Sequence, residues 1–262
     1  MVFNPAERYL QNRCTGCGIC SSICPTCSIR ATPEGKPSYF AHTCIGCSHC
    51  GVYCPENCFD LEPAAGSEGV SPVQVDELFK LRRSVRRFKA ADLSADELEE
   101  LLKPLNWTPT GRNDQGITVK VLSGRAAVEE KLVNKFTGIL RAVDCFRAVT
   151  LMAGPGRDFI RRLRKGEDLL AWGAPCVLLF SSSVKSATPV QDSLIAASAV
   201  AMKAEAMGLG TLWGGFIRYA APLTGLGRCH TALCVGQPVL RKYQMAPERK
   251  WKRIDIHGRQ GS

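Results

Sequence analysis

Eight cysteines fall into two runs with one spacing. Cys14, Cys17, Cys20 and Cys24 precede Pro25, and Cys44, Cys47, Cys50 and Cys54 precede Pro55. Each run reads C-x2-C-x2-C-x3-C-P, an internal repeat offset by 30 residues. Thiolates this closely spaced, in tight loops containing Gly16, Gly18 and Gly46, can wrap three corners of an iron–sulfur cube. The fourth corner must come from farther along the chain. With this spacing the fourth cysteine ligates the other cluster, so Cys14, Cys17, Cys20 and Cys54 are assigned to one [4Fe-4S] cluster and Cys44, Cys47, Cys50 and Cys24 to the other. Crossed ligation also ties the two halves together, which matters because about 60 residues bury too little surface for a secure core. Structural zinc prefers two separated ligand pairs, a poorer match to two identical four-cysteine runs. Cys27 and Cys58 lie outside the pattern and are expected to be small buried residues beside the clusters. His49 is expected to be a partly exposed neighbour and not a ligand.

A second chemical signal begins at Arg82-Arg83-Ser84-Val85-Arg86-Arg87-Phe88. Five positive charges within eight residues, through Lys89, ordinarily form a solvated face and occasionally a nucleic-acid patch. Guanidinium forks also bind phosphate and supply donors to carbonyl oxygens and ring nitrogens. Four further segments follow: Asn113-Asp114-Gln115, then Gly208-Leu209-Gly210-Thr211-Leu212-Trp213-Gly214-Gly215-Phe216, then Val235-Gly236-Gln237-Pro238, then Pro247-Glu248-Arg249-Lys250. In this order, behind a helix of small residues, the chain from about residue 75 to 256 resembles the FMN-dependent nitroreductase family, while residues 10–62 resemble a two-cluster bacterial ferredoxin. By the first resemblance Arg82, Arg83, Ser84 and Arg86 match the stretch that contacts the FMN phosphate, ribityl chain and pyrimidine edge. Asn113 matches a contact to the isoalloxazine. Leu212, Trp213, Gly214 and Gly215 match a turn whose backbone approaches the flavin near N5, where glycine permits close contact. Arg249, with Lys250 beside it, matches the C-terminal phosphate anchor. The chain departs from the family pattern at Arg112, at Gly116-Ile117 where Pro-Trp is usual, and at Gly214 where some members carry an acid. The resemblance also implies a homodimer with FMN at the subunit interface.

These residues need elements to hold them. Ser71-Pro72-Val73-Gln74 and Ser94-Ala95-Asp96-Glu97 are capping boxes, the second leading into Leu98, Leu101 and Leu102 and stopping near Pro104. Thr188-Pro189 opens a long helix that ends at Gly208 and carries Ala196, Ala197, Ala199, Ala201, Ala204 and Ala206. It is expected at the centre of its domain. Strands are expected over 117–122, 176–181 and 232–235. Helices and strands without regular βαβ alternation give an α+β class: a small two-[4Fe-4S] ferredoxin-like domain followed by a nitroreductase-like α+β domain. Gly208-x-Gly210 is rejected as a dinucleotide fingerprint because it ends a helix and does not follow a strand.

The chain has 262 residues, 45% hydrophobic and 22% charged, which excludes a disordered or collagenous polymer. Ten of its fourteen cysteines fall within the first 58 residues, whereas the net charge of +10 lies elsewhere. Residues 1–65 hold four Lys or Arg and five Asp or Glu, a net of −1, leaving +11 on the rest. This asymmetry suggests two modules, the iron–sulfur one at 1–62 and, after a Pro- and Gly-rich linker at 63–74, a second at 75–262 that the resemblance makes FMN-binding. No basic stretch followed by an apolar run opens the chain, and no segment reaches the roughly 20 apolar residues of a membrane span. A cytoplasmic setting with reduced thiols is expected. Cys145, Cys176, Cys229 and Cys234 read as core positions, His230 and His257 are expected to have no companion ligands or nucleophile, and Arg161, Arg162, Arg164 and Lys165 read as an exposed helix face or a docking surface for an acidic partner.

The expected function is an iron–sulfur flavoenzyme that passes electrons from two [4Fe-4S] clusters to FMN and on to a small-molecule acceptor such as a nitroaromatic or quinone. No side-chain nucleophile or acid–base pair stands out as catalytic. A ferredoxin- or flavodoxin-type donor fits such a chain; membrane and nucleic-acid partners do not. The alternative is a non-enzymatic carrier in which FMN stores charge.

Overall fold

The structure is a computed structural model that describes residues 3–62, 69–142, 155–240, 242, 244 and 247. Its N-terminal part repeats like its sequence. A single 3-10 turn, Gln11–Arg13 or Ala41–Thr43, leads into each cysteine run, and a four-residue helical turn, Ile19–Ser22 or His49–Val52, carries the run's third cysteine. Between the repeats lies a hairpin not anticipated from sequence, β1 (Ile29–Ala31) against β2 (Pro37–Tyr39), too short for an apolar alternation to register. The core here is small: Ile29, Cys50, Cys58 and Phe59 are buried, with Tyr9 and Tyr39 packed on Phe59.

The second part is built on an antiparallel sheet of β3 (Ile117–Ser123), β4 (Cys176–Ser182), β5 (Gly210–Trp213) and β6 (Thr231–Gly236), in the order β3-β4-β6-β5. Three of these are the expected strands, extended by a residue or two. β5 is a correction: Leu212 and Trp213, read as part of a turn, are strand residues paired with Cys234 and Leu233, and only Gly214 and Gly215 make the turn.

Both capping boxes form. They open α1 (Pro72–Leu81) and α2 (Ala95–Leu102), with Ser71 and Ser94 accepting from the backbone of Gln74 and Glu97. α3 (Lys135–Ala142) and α4 (Pro155–Arg164) follow, then the long α5 (Pro189–Ala206) and α6 (Ile217–Leu223). α5 lies on one sheet face, where Ala196, Ala197, Val200, Ala201 and Ala204 pack with Leu178, Phe180, Leu233 and Val235. Small side chains let the helix axis approach the sheet closely. The opposite face is covered by Leu132, Val133, Phe136, Leu163 and Ile217.

Candidate functional site

The two cysteine runs surround two small cavities. One is lined by Cys14, Cys17, Cys20 and Cys54, the other by Cys24, Cys44, Cys47 and Cys50. Each set takes three thiols from one run and the last from the other. Left-handed residues bend the loops around them: Gly16 and Gly18 in the first run, Gly46 and Ser48 at the same places in the second. Backbone N–H groups point at the sulfurs, from Ser28 to Cys24 at 3.2 Å, from Gly46 to Cys44 at 3.4 Å and from Cys58 to Cys54 at 3.4 Å. Burial pushes the Cys50 thiol up to about 12. Among the described residues no three His, Cys, Asp or Glu side chains converge as a single-ion site requires; the thiols are spread around the cavity walls. This donor set, four thiols lining each cavity with backbone N–H groups at three of the sulfurs, fits iron–sulfur cubes.

Cys58 is buried as expected and borders the first cavity. Cys27 is not: it is exposed in a left-handed turn, a conformation that the apolar character of cysteine gave no means to foresee. His49 is exposed, its Nδ1 3.2 Å from the Cys47 carbonyl. Cys176, Cys229 and Cys234 are buried. Cys145 and His257 lie outside the described residues.

In the second module, residues 82–86 run beside β5. The Val85 N–H donates to the Thr211 carbonyl at 2.8 Å, and Ser84 forms a parallel bridge to Thr211. The sheet thus brings Arg82, Arg83, Ser84 and Arg86 to the strand that holds Leu212 and Trp213. Arg82 Nη1 is buried without a hydrogen-bond partner among the described residues. An orphaned guanidinium nitrogen is costly to bury, and a phosphate or dione oxygen is the kind of acceptor that would satisfy it. Among the described residues, no ion pair neutralises Arg82, Arg83, Arg86 or Arg87.

A cleft of about 1040 Å³ opens beside this stretch, lined by Arg83, Ser84, Arg86 and Arg87 together with Arg125, Arg162, Trp172 and Lys242. Its far wall is fixed by Asp168, whose carboxylate accepts from the N–H groups of Leu170, Ala171 and Gly173 at 3.1, 2.9 and 2.6 Å. That loop holds Trp172 5.8 Å from the Arg86 guanidinium, within cation–π range. Arg125 is engaged by Glu129 and the Gly173 carbonyl, and Arg162 by Glu167. Sequence reading missed these wall residues; Arg162 passed for an ordinary exposed helix position because its partner Glu167 lies beyond the helix end.

Gly214 donates its N–H to the Ala232 carbonyl at 2.9 Å, and a Cβ on it would stand 2.6 Å from Ile217 Cδ1. A side chain there would have to displace Ile217. Gly215 has open space around it.

Asn113 is elsewhere. It precedes β3, the edge strand opposite β5, and the two edges are three strand spacings or about 14 Å apart. Its turn, Gly111–Asn113, is left-handed at Arg112 and Asn113, and Gln115 is left-handed just beyond. Asp192, in the first turn of α5, accepts from the Gly111 N–H at 2.9 Å and from the hydroxyls of Ser186 and Thr188. So held, Asn113 donates from Nδ2 to the carbonyl of Ile45, in the second cysteine run, at 2.9 Å. Neither Asp192 nor Ile45 carried a sequence signal for this role, although Thr188 and Asp192 stand one helical turn apart. Arg249 and Lys250 lie outside the described residues.

Comparison with known proteins fits both halves. The family model described as nitroreductase family matches residues 80–239, and a model described as a 4Fe-4S binding domain matches residues 8–26, the first cysteine run. No curated protein sequence matches the chain. Among solved structures, an FMN-bound nitroreductase from Bacteroides fragilis superposes with a TM-score of 0.55 at 17% identity, over 70% of this chain and 98% of that one. An FMN-bound nitroreductase from Desulfitobacterium hafniense gives 0.52 at 17%, over 68% and 97%. An FMN-dependent nitroreductase from Clostridium difficile gives 0.52 at 19%, over 70% and 99%.

Proposed function

The chain belongs to the nitroreductase family, which makes it an FMN-dependent oxidoreductase, and from that premise we propose that it draws electrons through two [4Fe-4S] clusters and delivers them to an electron-poor organic acceptor such as a nitroaromatic or quinone. The observation that carries this reading is the crossing of the thiol sets, Cys14, Cys17, Cys20 with Cys54 and Cys44, Cys47, Cys50 with Cys24, each around its own cavity. When bound, the clusters supply single electrons and the flavin supplies transfer singly or in pairs.

The chain's own residues do the rest. Arg82, Arg83, Ser84 and Arg86 offer donors and positive charge for the FMN phosphate and dione edge, with Arg249 as a further anchor. Leu212, Trp213, Gly214 and Gly215 form a wall and turn without a bulky side chain at the glycines. Asn113 offers a carboxamide from the other sheet edge. Residues 1–62 act as the iron–sulfur module and 75–262 as the FMN-binding module, and the expected linker at 63–74 ends in the capped first turn of α1, which Ser71 and Gln74 close. A homodimer completes the site, a reading supported by exposed Val190, Leu194 and Ile195 on α5 and exposed Val73 and Phe79 on α1. A ferredoxin- or flavodoxin-type donor fits this arrangement. No helix among the described residues is long and apolar enough to cross a membrane.

Anaerobically purified protein should contain about eight irons and one FMN per chain, and should reduce a nitroaromatic or quinone faster than the same concentration of free FMN. Zinc in place of iron, or no flavin, would refute the assignment. Full cofactor content without turnover would leave only a carrier in which FMN stores charge.

A further inference from the structure

We propose that Asn113 tunes the potential of the cluster held by Cys44, Cys47, Cys50 and Cys24, through a hydrogen-bonded relay that starts in the flavin-binding module. The inference rests on the two-cluster reading above. Asn113 Nδ2 donates to the Ile45 carbonyl at 2.9 Å. That carbonyl and the Gly46 N–H belong to one peptide unit, and the Gly46 N–H donates to Cys44 Sγ at 3.4 Å. A hydrogen bond accepted at a peptide oxygen polarises the unit and strengthens the donor at its nitrogen. The relay therefore withdraws negative charge from the Cys44 sulfur. Hydrogen bonds to the sulfurs are among the terms that set a cluster's potential. They stabilise the reduced, more negative state, so this relay raises the potential of the second cluster relative to the first.

The repeat supplies its own control. The peptide between Thr15 and Gly16 occupies the same place in the first run, but Gly16 faces Gly35, and among the described residues Asn113 has no counterpart there. Asn113 is also aimed at a conformational cost. It and Arg112 both sit at φ 54°, held there by the Asp192 bond to the Gly111 N–H. Such strain persists only where surrounding structure enforces it. An amide has donors and an acceptor, so serving Ile45 does not exclude a flavin contact through Oδ1.

The test uses the full chain loaded anaerobically with iron, sulfide and FMN, each cluster's midpoint being read by potentiometric titration with electron paramagnetic resonance. The variants are Asn113→Asp, which keeps the shape and removes the donors, Asn113→Leu and Asn113→Gln. Iron analysis of the unsubstituted chain comes first, and four irons per chain would overturn both the two-cluster reading and the relay. With eight irons, one midpoint is expected to fall in Asn113→Asp and Asn113→Leu while the other stays, with partial recovery in Asn113→Gln. Two unmoved midpoints, or two that move together, would overturn the relay and leave the two-cluster reading standing. Amide exchange at Gly46 gives a second readout in any variant that folds: faster exchange in Asn113→Leu is expected, and an unchanged rate counts against the relay.

Discussion

Asp192 is 1% exposed, a setting in which a carboxylate needs partners to stay charged. Burial pushes its carboxyl up, but the Ser186 hydroxyl, the Gly111 N–H and the Thr188 hydroxyl outweigh that and hold it below the ordinary 3.8. A carboxylate depressed in the folded state contributes stability that is fully present above 3.8 and is lost as pH falls through its folded-state value. Asp192→Asn keeps the size but replaces an acceptor-only group with one that must also place two donors. It should cost about 1–3 kcal/mol at pH 7, with the 111–115 loop loosened first. Denaturant unfolding of both proteins between pH 8 and pH 5 should show a constant gap, narrowing only below 3.8. A gap that closes near neutrality would mean that Asp192 is not the carboxylate described.

At the scale of elements, the arginine stretch reaches β5 because Gly210 leaves room for Val85. A Cβ on Gly210 would stand 2.6 Å from Val85 Cγ2 and 2.9 Å from its Cβ. Gly210→Ala should therefore push residues 82–86 off the strand, costing about 1–3 kcal/mol and releasing FMN more readily. Thermal unfolding with FMN fluorescence would register both effects, and a variant that retains stability and flavin would show that the stretch is anchored otherwise. This packing also marks where the sequence was legible and where it was not. The capping boxes at Ser71 and Ser94 announce themselves because their donors and acceptors are three residues apart. The crossed thiol sets follow from spacing in the same way. β5 was hidden because its glycine start looks like a continuing turn, and its identity as a strand comes from Cys234 and Leu233 across the ladder. Asn113 was singled out by resemblance, but its hydrogen bond to Ile45 spans 68 positions and has no local signature. Arg162, Trp172 and Lys242 share a cleft only after the chain has folded.

The whole molecule combines a basic flavin-binding module with exposed apolar helices, and the two features would oppose each other in the proposed dimer. At a net charge of +10 per chain, two copies repel, so the proposed association would have to rest on apolar burial. Ile195 and Leu194 are 43% and 41% exposed on α5, and Phe79 on the neighbouring α1 is 60% exposed. In a two-fold interface each substitution counts twice, and a buried aliphatic side chain contributes about 1.5–3 kcal/mol. Ile195→Glu lowers the net charge and Ile195→Lys raises it, which separates the two forces. If apolar burial holds the dimer, both variants should sediment with the mass of one chain and retain less FMN. If only Ile195→Lys dissociates, charge decides the assembly. A dimer that survives both substitutions with its flavin intact would place the interface away from α5 altogether.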